Sequence, residues 1–173
     1  VIIRATTVAD IPELPDIERS AGRAFLQIPE FAWVASDSVI ETEEHARFVD
    51  SSLSWVVQSG ADLCGFLCAH LFDRTLHVAE LAVHLSSQGQ GMGAALLRHV
   101  IHEAREHRNC TEVTLTTFRD VAFNAPFYAR LGFAELRQGS DGGVEDARLA
   151  EMLALEVAHG FPAESRCAMR LLL

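Results

Sequence analysis

Apolar residues recur along this chain in two rhythms. Alternating or near-continuous apolar runs at 1–5, 54–58, 62–72, 76–85, 112–117, 133–137 and 166–173 predict strands, with Ser59-Gly60 as the turn between the second and third. A helical rhythm predicts α-helices after Asp10, over 41–52, from Ala94 onward, over 122–131 and over 144–159. In the third of these, Ala94, Leu97, Ile101 and Ala104 fall on one face, and in the last Leu149, Leu153 and Val157 do. Asp10 can cap the first helix, with Glu13 completing a capping-box-like pair; Pro12 is tolerated in the first turn and Pro15 bends the helix. Gly160 fits the position after the last helix, with Pro162 just beyond. Residues 27–38 and 139–143 read as irregular. Strands and helices mix without strict alternation, which predicts an α+β fold rather than a doubly wound parallel sheet.

The junction at 80–97 carries the most chemical information. An apolar strand runs into Gln88-Gly89-Gln90-Gly91-Met92-Gly93-Ala94, and that turn opens an amphipathic helix. Glycines let the backbone approach a ligand, and the first helical N–H groups lack partners. The helix dipole adds positive charge at the same place, so the junction suits a phosphate or pyrophosphate. A P-loop is excluded, because Ala94-Ala95 stand where Lys and Ser/Thr are required. Gly89, Gly91 and Ala94 also spell a dinucleotide-binding pattern, but Asp120 lies too far along for the ribose-binding acid. An NAD-type oxidoreductase therefore stays open as the alternative.

Two blocks together resemble the GNAT N-acetyltransferase superfamily. The glycine turn is similar to its Q/R-x-x-G-x-G/A acyl-CoA motif, and Asn124 to Phe133 looks like its N-x-x-x-Y-x-x-x-G-F segment. The opening Ile3-Arg4-Ala5-Thr6 with Ala9-Asp10 also resembles the start of many members. The resemblance implies a mixed, mostly antiparallel sheet flanked by helices, with two central strands splayed to admit pantetheine. It implies acetyl-CoA as co-substrate, held by Leu81, Ala82 and Val83 on the strand, by Gln88, Gly89, Gln90, Gly91, Met92, Gly93 and Ala94 at the pyrophosphate, and by Asn124.

Carried over in the same way, Tyr128, the only tyrosine, is the acid beside the CoA sulfur, and Glu80 is the base that deprotonates a primary amine. A phenol has a pKa suited to reprotonating a thiolate, and a Glu in an apolar strand is desolvated into a better base. Each residue also has a plainer role open to it. Tyr128 can be a core tyrosine, Glu80 a carboxylate that only binds a cation, and Asn124 an N-cap before Ala125-Pro126. By analogy the oxyanion is met by a backbone N–H of residues 81–83. Segments 20–45 and 138–164 are expected to shape the acceptor pocket, with the helix at 144–159 covering the cleft and Phe25, Phe31, Trp33 and Trp55 as candidate lining. A non-catalytic CoA-binding module is a further alternative.

Composition narrows the partners. The chain has 173 residues, the length of one domain spanning 1–173, and a net charge of −10, which argues against nucleic acid and anionic membranes. An acidic chain attracts cationic amines, so the acceptor is expected to be a cationic small molecule or a protein N-terminal amine. Homodimers are common in the family, but nothing in the sequence locates an interface. No apolar run approaches the roughly 18 residues of a membrane span, and no secretory leader pattern opens the sequence. Cys64, Cys68, Cys110 and Cys167 show no disulfide framework and are expected to be buried thiols in a reducing, cytoplasmic setting. Cys64 and Cys68, at even spacing, are expected on one strand face, as are Glu80 and His84. His99, His102, Glu103, Glu106 and His107 cluster without an H-E-x-x-H pattern, so no metal is expected.

Overall fold

A computed structural model describes residues 1–136 and 146–173. Seven strands form one sheet: β1 (Ile2–Ala5), β2 (Ser54–Ser59), β3 (Asp62–Phe72), β4 (Thr75–Val83), β5 (Glu112–Phe118), β6 (Ala134–Glu135) and β7 (Arg166–Leu172). Their order is β1-β2-β3-β4-β5-β7-β6. Only β4 and β5 pair in parallel; every other neighbour is antiparallel. The helices are α1 (Leu14–Gly22), α2 (Thr42–Asp50), α3 (Met92–Glu106), α4 (Ala125–Ala129) and α5 (Ala147–His159). The mixed, mostly antiparallel sheet flanked by helices is the expected fold: β4, α3 and β5 make a single parallel βαβ crossover, whereas an NAD-type reading of Gly89, Gly91 and Ala94 requires a doubly wound parallel sheet built from several such units. No described helix is long and apolar enough to cross a membrane.

The sheet buries both faces. On one, Leu96, Leu97, Val100 and Ala104 of α3 and Tyr128 of α4 pack against Trp55, Val57, Leu67, Leu76 and Val78. On the other, Leu14 and Ile17 of α1 and Phe48 of α2 cover Val56, Phe66, Cys68 and Ala82. The stripe of α3 is broader than the sequence suggests: Leu97 and Ala104 are buried, Ala94 and Ile101 only partly, and Leu96 and Val100 join them. His45 of α2 is fully buried edge-on to Phe66, ring centroids 5.0 Å apart, and burial pushes its imidazole down to about 4, so it packs as a neutral aromatic.

Two β-bulges reset which face each residue takes. The β2–β3 register pairs Val57 with Gly65 and Gln58 with Leu63, skipping Cys64. All four cysteines are buried and free, but Cys64 joins the α3 side while Cys68 joins the α1 side, against the shared face expected. The β3–β4 register pairs Cys68 with Glu80 and Ala69 with Val78, skipping Ala79. One extra residue in a strand inverts every face beyond it. Glu80 therefore turns to the α1 side, opposite Leu76 and Val78.

Several local expectations give way. Asp10 does not cap a helix: its carboxylate is taken by Arg4 at 2.7 and 2.9 Å and by the N–H and hydroxyl of Thr7. A 3-10 turn at Ile11–Glu13 precedes α1, with Pro15 in the first turn of α1. The irregular stretch is two 3-10 segments, Arg23–Gln27 and Pro29–Ser36. The loop expected at 139–143 and the start expected for the last helix at Val144 lie outside the described residues; Asp146 caps α5 through the N–H groups of Arg148 and Leu149.

Strand β4 leaves no room for a side chain at Gly65 of β3, where an added Cβ would lie 2.6 Å from the Ala82 carbonyl oxygen and 3.2 Å from Val83 Cα. Gly65→Val should force these strands apart and cost about 1–3 kcal/mol, the usual range for overpacking. A urea unfolding midpoint indistinguishable from wild type would overturn this.

Candidate active site

The ladder between β4 and β5 stops at His77 and Thr114. Both strands run on, β4 to Val83 and β5 to Phe118, and a cleft of about 780 Å³ opens between them. The β4 edge that faces it has lost its strand partner. His84 N–H still donates to Cys64 O in the β3 ladder at 2.8 Å, whereas Leu81 N–H donates to its neighbour's Glu80 Oε1 at 3.0 Å. Alternation then points the N–H groups of Leu81 and Val83 into the cleft and that of Ala82 toward β3. The side chains agree: Leu81 and Val83 line the cleft, and Ala82 is buried beneath α1.

The glycine turn closes one end. Gly89 has φ +74° and Gly91, the residue before α3, has φ +81°, a left-handed conformation that glycine adopts without strain. Gln88, Gly89, Gly91, Met92, Gly93 and Ala94 all line the cleft. Gln88 Nε2 donates to Val83 O at 3.0 Å and ties the turn to the strand. Gln90 points elsewhere, its Nε2 on Ser86 O at 3.1 Å, and does not line the cleft.

Asn124, Phe127 and Tyr128 form the α4 wall. Asn124 stands at the N-cap position, yet its side chain caps nothing, and its buried Oδ1 has no partner among the described residues. Such an acceptor is costly unless a ligand supplies a donor. Tyr128 is 8% exposed. Burial, reinforced by the Glu80 charge, pushes its phenol well above the usual value, so it stays protonated.

Glu80 and Tyr128 come from opposite faces of the sheet and meet across the gap. Glu80 lines the cleft, and burial pushes its carboxyl up; the Leu81 N–H and the Arg166 charge oppose this. Glu18 of α1 is a second carboxyl in the cleft, raised by burial and by Glu80, and it accepts the Ile40 N–H at 3.0 Å. The sequence reading missed Glu18. Its only local signal is a carboxylate one turn after Leu14, at the border of an apolar stripe.

The remaining wall comes from far along the chain. Arg166 of β7 and Glu156 of α5 line the cleft, as do Phe25, Phe118 and Phe161. His159 Nε2 lies 2.9 Å from both carboxylate oxygens of Asp37, so α5 reaches the segment before α2. Of the aromatic candidates, Phe25 lines the cleft, Phe31 is buried against Phe118, Trp33 stacks on Phe161, and Trp55 lies in the core. His84 is not in the cleft: it pairs with the Ser86 hydroxyl at 2.8 Å. The described residues contain no group of three or more metal-ligating side chains.

The sequence model of the acetyltransferase (GNAT) family matches residues 20–133. Among solved structures, the chain is similar to a Mycobacterium tuberculosis protein in complex with CoA, at TM-score 0.70 and 20% identity, covering 100% of this chain and 99% of that one. It is similar to the PaiA N-acetyltransferase of Thermoplasma acidophilum in complex with coenzyme A, at TM-score 0.73 and 15% identity over 99% and 98% of the two chains. It is also similar to the ribosomal-protein-S18-alanine N-acetyltransferase of Escherichia coli, at TM-score 0.68 and 19% identity over 99% and 92%. At these identities the likeness establishes the fold.

The paired carboxyls have a measurable consequence. An unfolded Glu titrates near 4.3, so above about that pH the folded protein binds more protons than the unfolded chain. Their contribution to stability is greatest below the unfolded value and is lost as pH rises through the raised ones. Glu18→Gln should therefore raise the thermal midpoint at about pH 9 and leave it nearly unchanged at about pH 4. Equal shifts at both pH values would show that no such strain exists.

Proposed function

Since the chain belongs to the acetyltransferase (GNAT) family, we propose that it is an N-acetyltransferase that moves acetyl from acetyl-CoA to a primary amine by direct attack. The observation that carries this reading is the opened β4–β5 gap, with a partnerless strand edge, a phenol on one side and a carboxyl on the other. The residues fit the co-substrate. Pantetheine amides would pair with the free edge of β4 as an added strand, and the pyrophosphate would sit on the N–H groups that open α3. The orphaned Asn124 Oδ1 would accept from a CoA amide. CoA accompanies the M. tuberculosis and T. acidophilum proteins, which supports it as the acyl carrier here.

Each group then has one task. Glu80 removes the proton from the acceptor ammonium, directly or through water, and its raised carboxyl is matched to that work. The free amine attacks the thioester carbonyl carbon. Val83 N–H, or Leu81 N–H once Glu80 releases it, receives the oxyanion, so the donor is not Ala82. As the C–S bond breaks, Tyr128 donates its hydroxyl proton to the departing sulfur, and the excess proton on the newly bonded nitrogen passes through water to restore the phenol, leaving a neutral amide and a free thiol. No covalent enzyme intermediate is needed, because holding both substrates together supplies roughly 7–11 kcal/mol at best.

Calorimetric titration with acetyl-CoA, with NAD as control, is the first test. Acetyl-CoA binds and NAD does not; Gly91→Val abolishes binding by forcing a branched side chain into φ +81°. Glu80→Gln and Tyr128→Phe keep acetyl-CoA affinity and lose about 10²-fold or more in kcat for amine acetylation. The acid limb of kcat/KM lies above the ordinary carboxylate range, since Glu80 must be ionised to act. Failure to bind acetyl-CoA would sink the proposal, and binding with variants as active as wild type would remove the assigned roles.

A further inference from the structure

The acceptor half of the cleft holds a guanidinium that fold stability alone does not explain. Arg166 begins β7, opposite Phe118, and its side chain is 11% exposed. Its Cζ lies 4.6 Å from the ring centre of Phe118 and 4.8 Å from that of Phe161. Nε donates to Glu156 Oε2 at 2.9 Å, and the other oxygen of that carboxylate accepts the Thr116 hydroxyl. The group is desolvated, set in the corner formed by two aromatic rings and held by a hydrogen bond at one atom.

What it leaves unused is informative. Arg4 spends its whole fork on Gln58 and Asp10, and Arg119 uses Nε on Glu135 and Nη1 on the Glu164 carbonyl. Arg166 engages only Nε among the described residues, although it lines the same cleft as Glu80 and Tyr128. Its two Nη atoms form the edge that matches a carboxylate with two parallel hydrogen bonds. Glu80 and Glu18 stand in the same cleft with the opposite sign.

Resting on the acetyltransferase reading, we propose that the acceptor is a free amino acid, with its carboxylate on the Nη edge of Arg166 and its amine at Glu80. A simple amine or polyamine leaves the Nη edge of Arg166 unused, and a second cationic group gains nothing beside it. A protein N-terminus carries an amide where the carboxylate is needed. The pairing also fixes direction: with the carboxylate anchored on β7, the amine is held toward Glu80 and the gap.

The test supplies acetyl-CoA with an equimolar mixture of the common L-amino acids and, separately, with the mixture of their amides, and reads N-acetyl products by mass spectrometry. The acids are acetylated with kcat/KM at least tenfold above the matching amides, roughly the effect of a charge-assisted pair. Arg166→Gln collapses that ratio to near one, chiefly through KM, with acetyl-CoA affinity unchanged by calorimetry; Arg166→Lys keeps part of it. Amides acetylated as well as acids, or a ratio that survives Arg166→Gln, would overturn the assignment. So would acetyl-CoA binding with no product from the acids, a result that leaves the cofactor site standing. Absence of acetyl-CoA binding would instead remove the reading beneath it as well.

Discussion

The end of the β4–β5 ladder at His77 and Thr114 is the constraint on which the rest of the structure depends. A sheet buried on both faces normally satisfies every backbone group by pairing, and an unpaired buried edge is costly. Here the edge is left open over Val78 to Val83 and Leu115 to Phe118. The bulge at Ala79 works with that divergence. It increases local twist where β4 leaves β5, and it inverts the faces of the residues beyond. Just past the end of the β4–β5 ladder, the bulge turns Glu80 to the side of α1, while Tyr128 stays on the side of α3.

Charge is concentrated where the sheet is open. Glu18 and Glu80 are pushed toward their neutral forms chiefly by burial, and Arg166 sits in the corner of two rings with a single carboxylate on it. None of these groups is the most stable choice for its position, since buried ionisable groups cost several kcal/mol before any pairing repays it. Strain of this kind gathers at functional sites and is carried by the surrounding core. Two well-packed layers provide that core, with Phe66, Leu67, Leu96, Leu97 and Val56 fully enclosed.

The wall of the cleft around Arg166 is assembled by long-range contacts. Phe25 and Phe31 from the 3-10 segments meet Phe118 of β5 and Phe161 after α5, and the His159–Asp37 contact joins the same two regions. The end of the cleft at the glycine turn is built from a contiguous strand, turn and helix start, joined by the α4 wall, whereas the end around Arg166 is built from stretches scattered along the chain. The same scaffold can therefore keep the first fixed while the second varies.

Legibility in the sequence follows the same division. The glycine turn and α3, the Asn124–Phe133 block and the strands were readable, because left-handed glycines, open helical N–H groups and alternation are properties of neighbouring residues. The residues named for the cofactor from that turn line the cleft except Gln90, and Ala82 faces away. What could not be read is parity and partnership. Nothing at Ala79 or Cys64 marks a bulge, so Glu80 and Cys64 took faces that counting by twos does not foresee. Asp10 looked like a cap until Arg4 and Thr7 claimed it. Glu18, Glu156 and Arg166 gain meaning only when β4, α1, α5 and β7 converge. The sequence by itself determined the glycine turn that opens α3 and the run of strands and helices, since both arise from local backbone geometry. The tertiary structure decided which carboxyls, phenol and guanidinium share one cleft, because burial and charge there are set by residues distant along the chain.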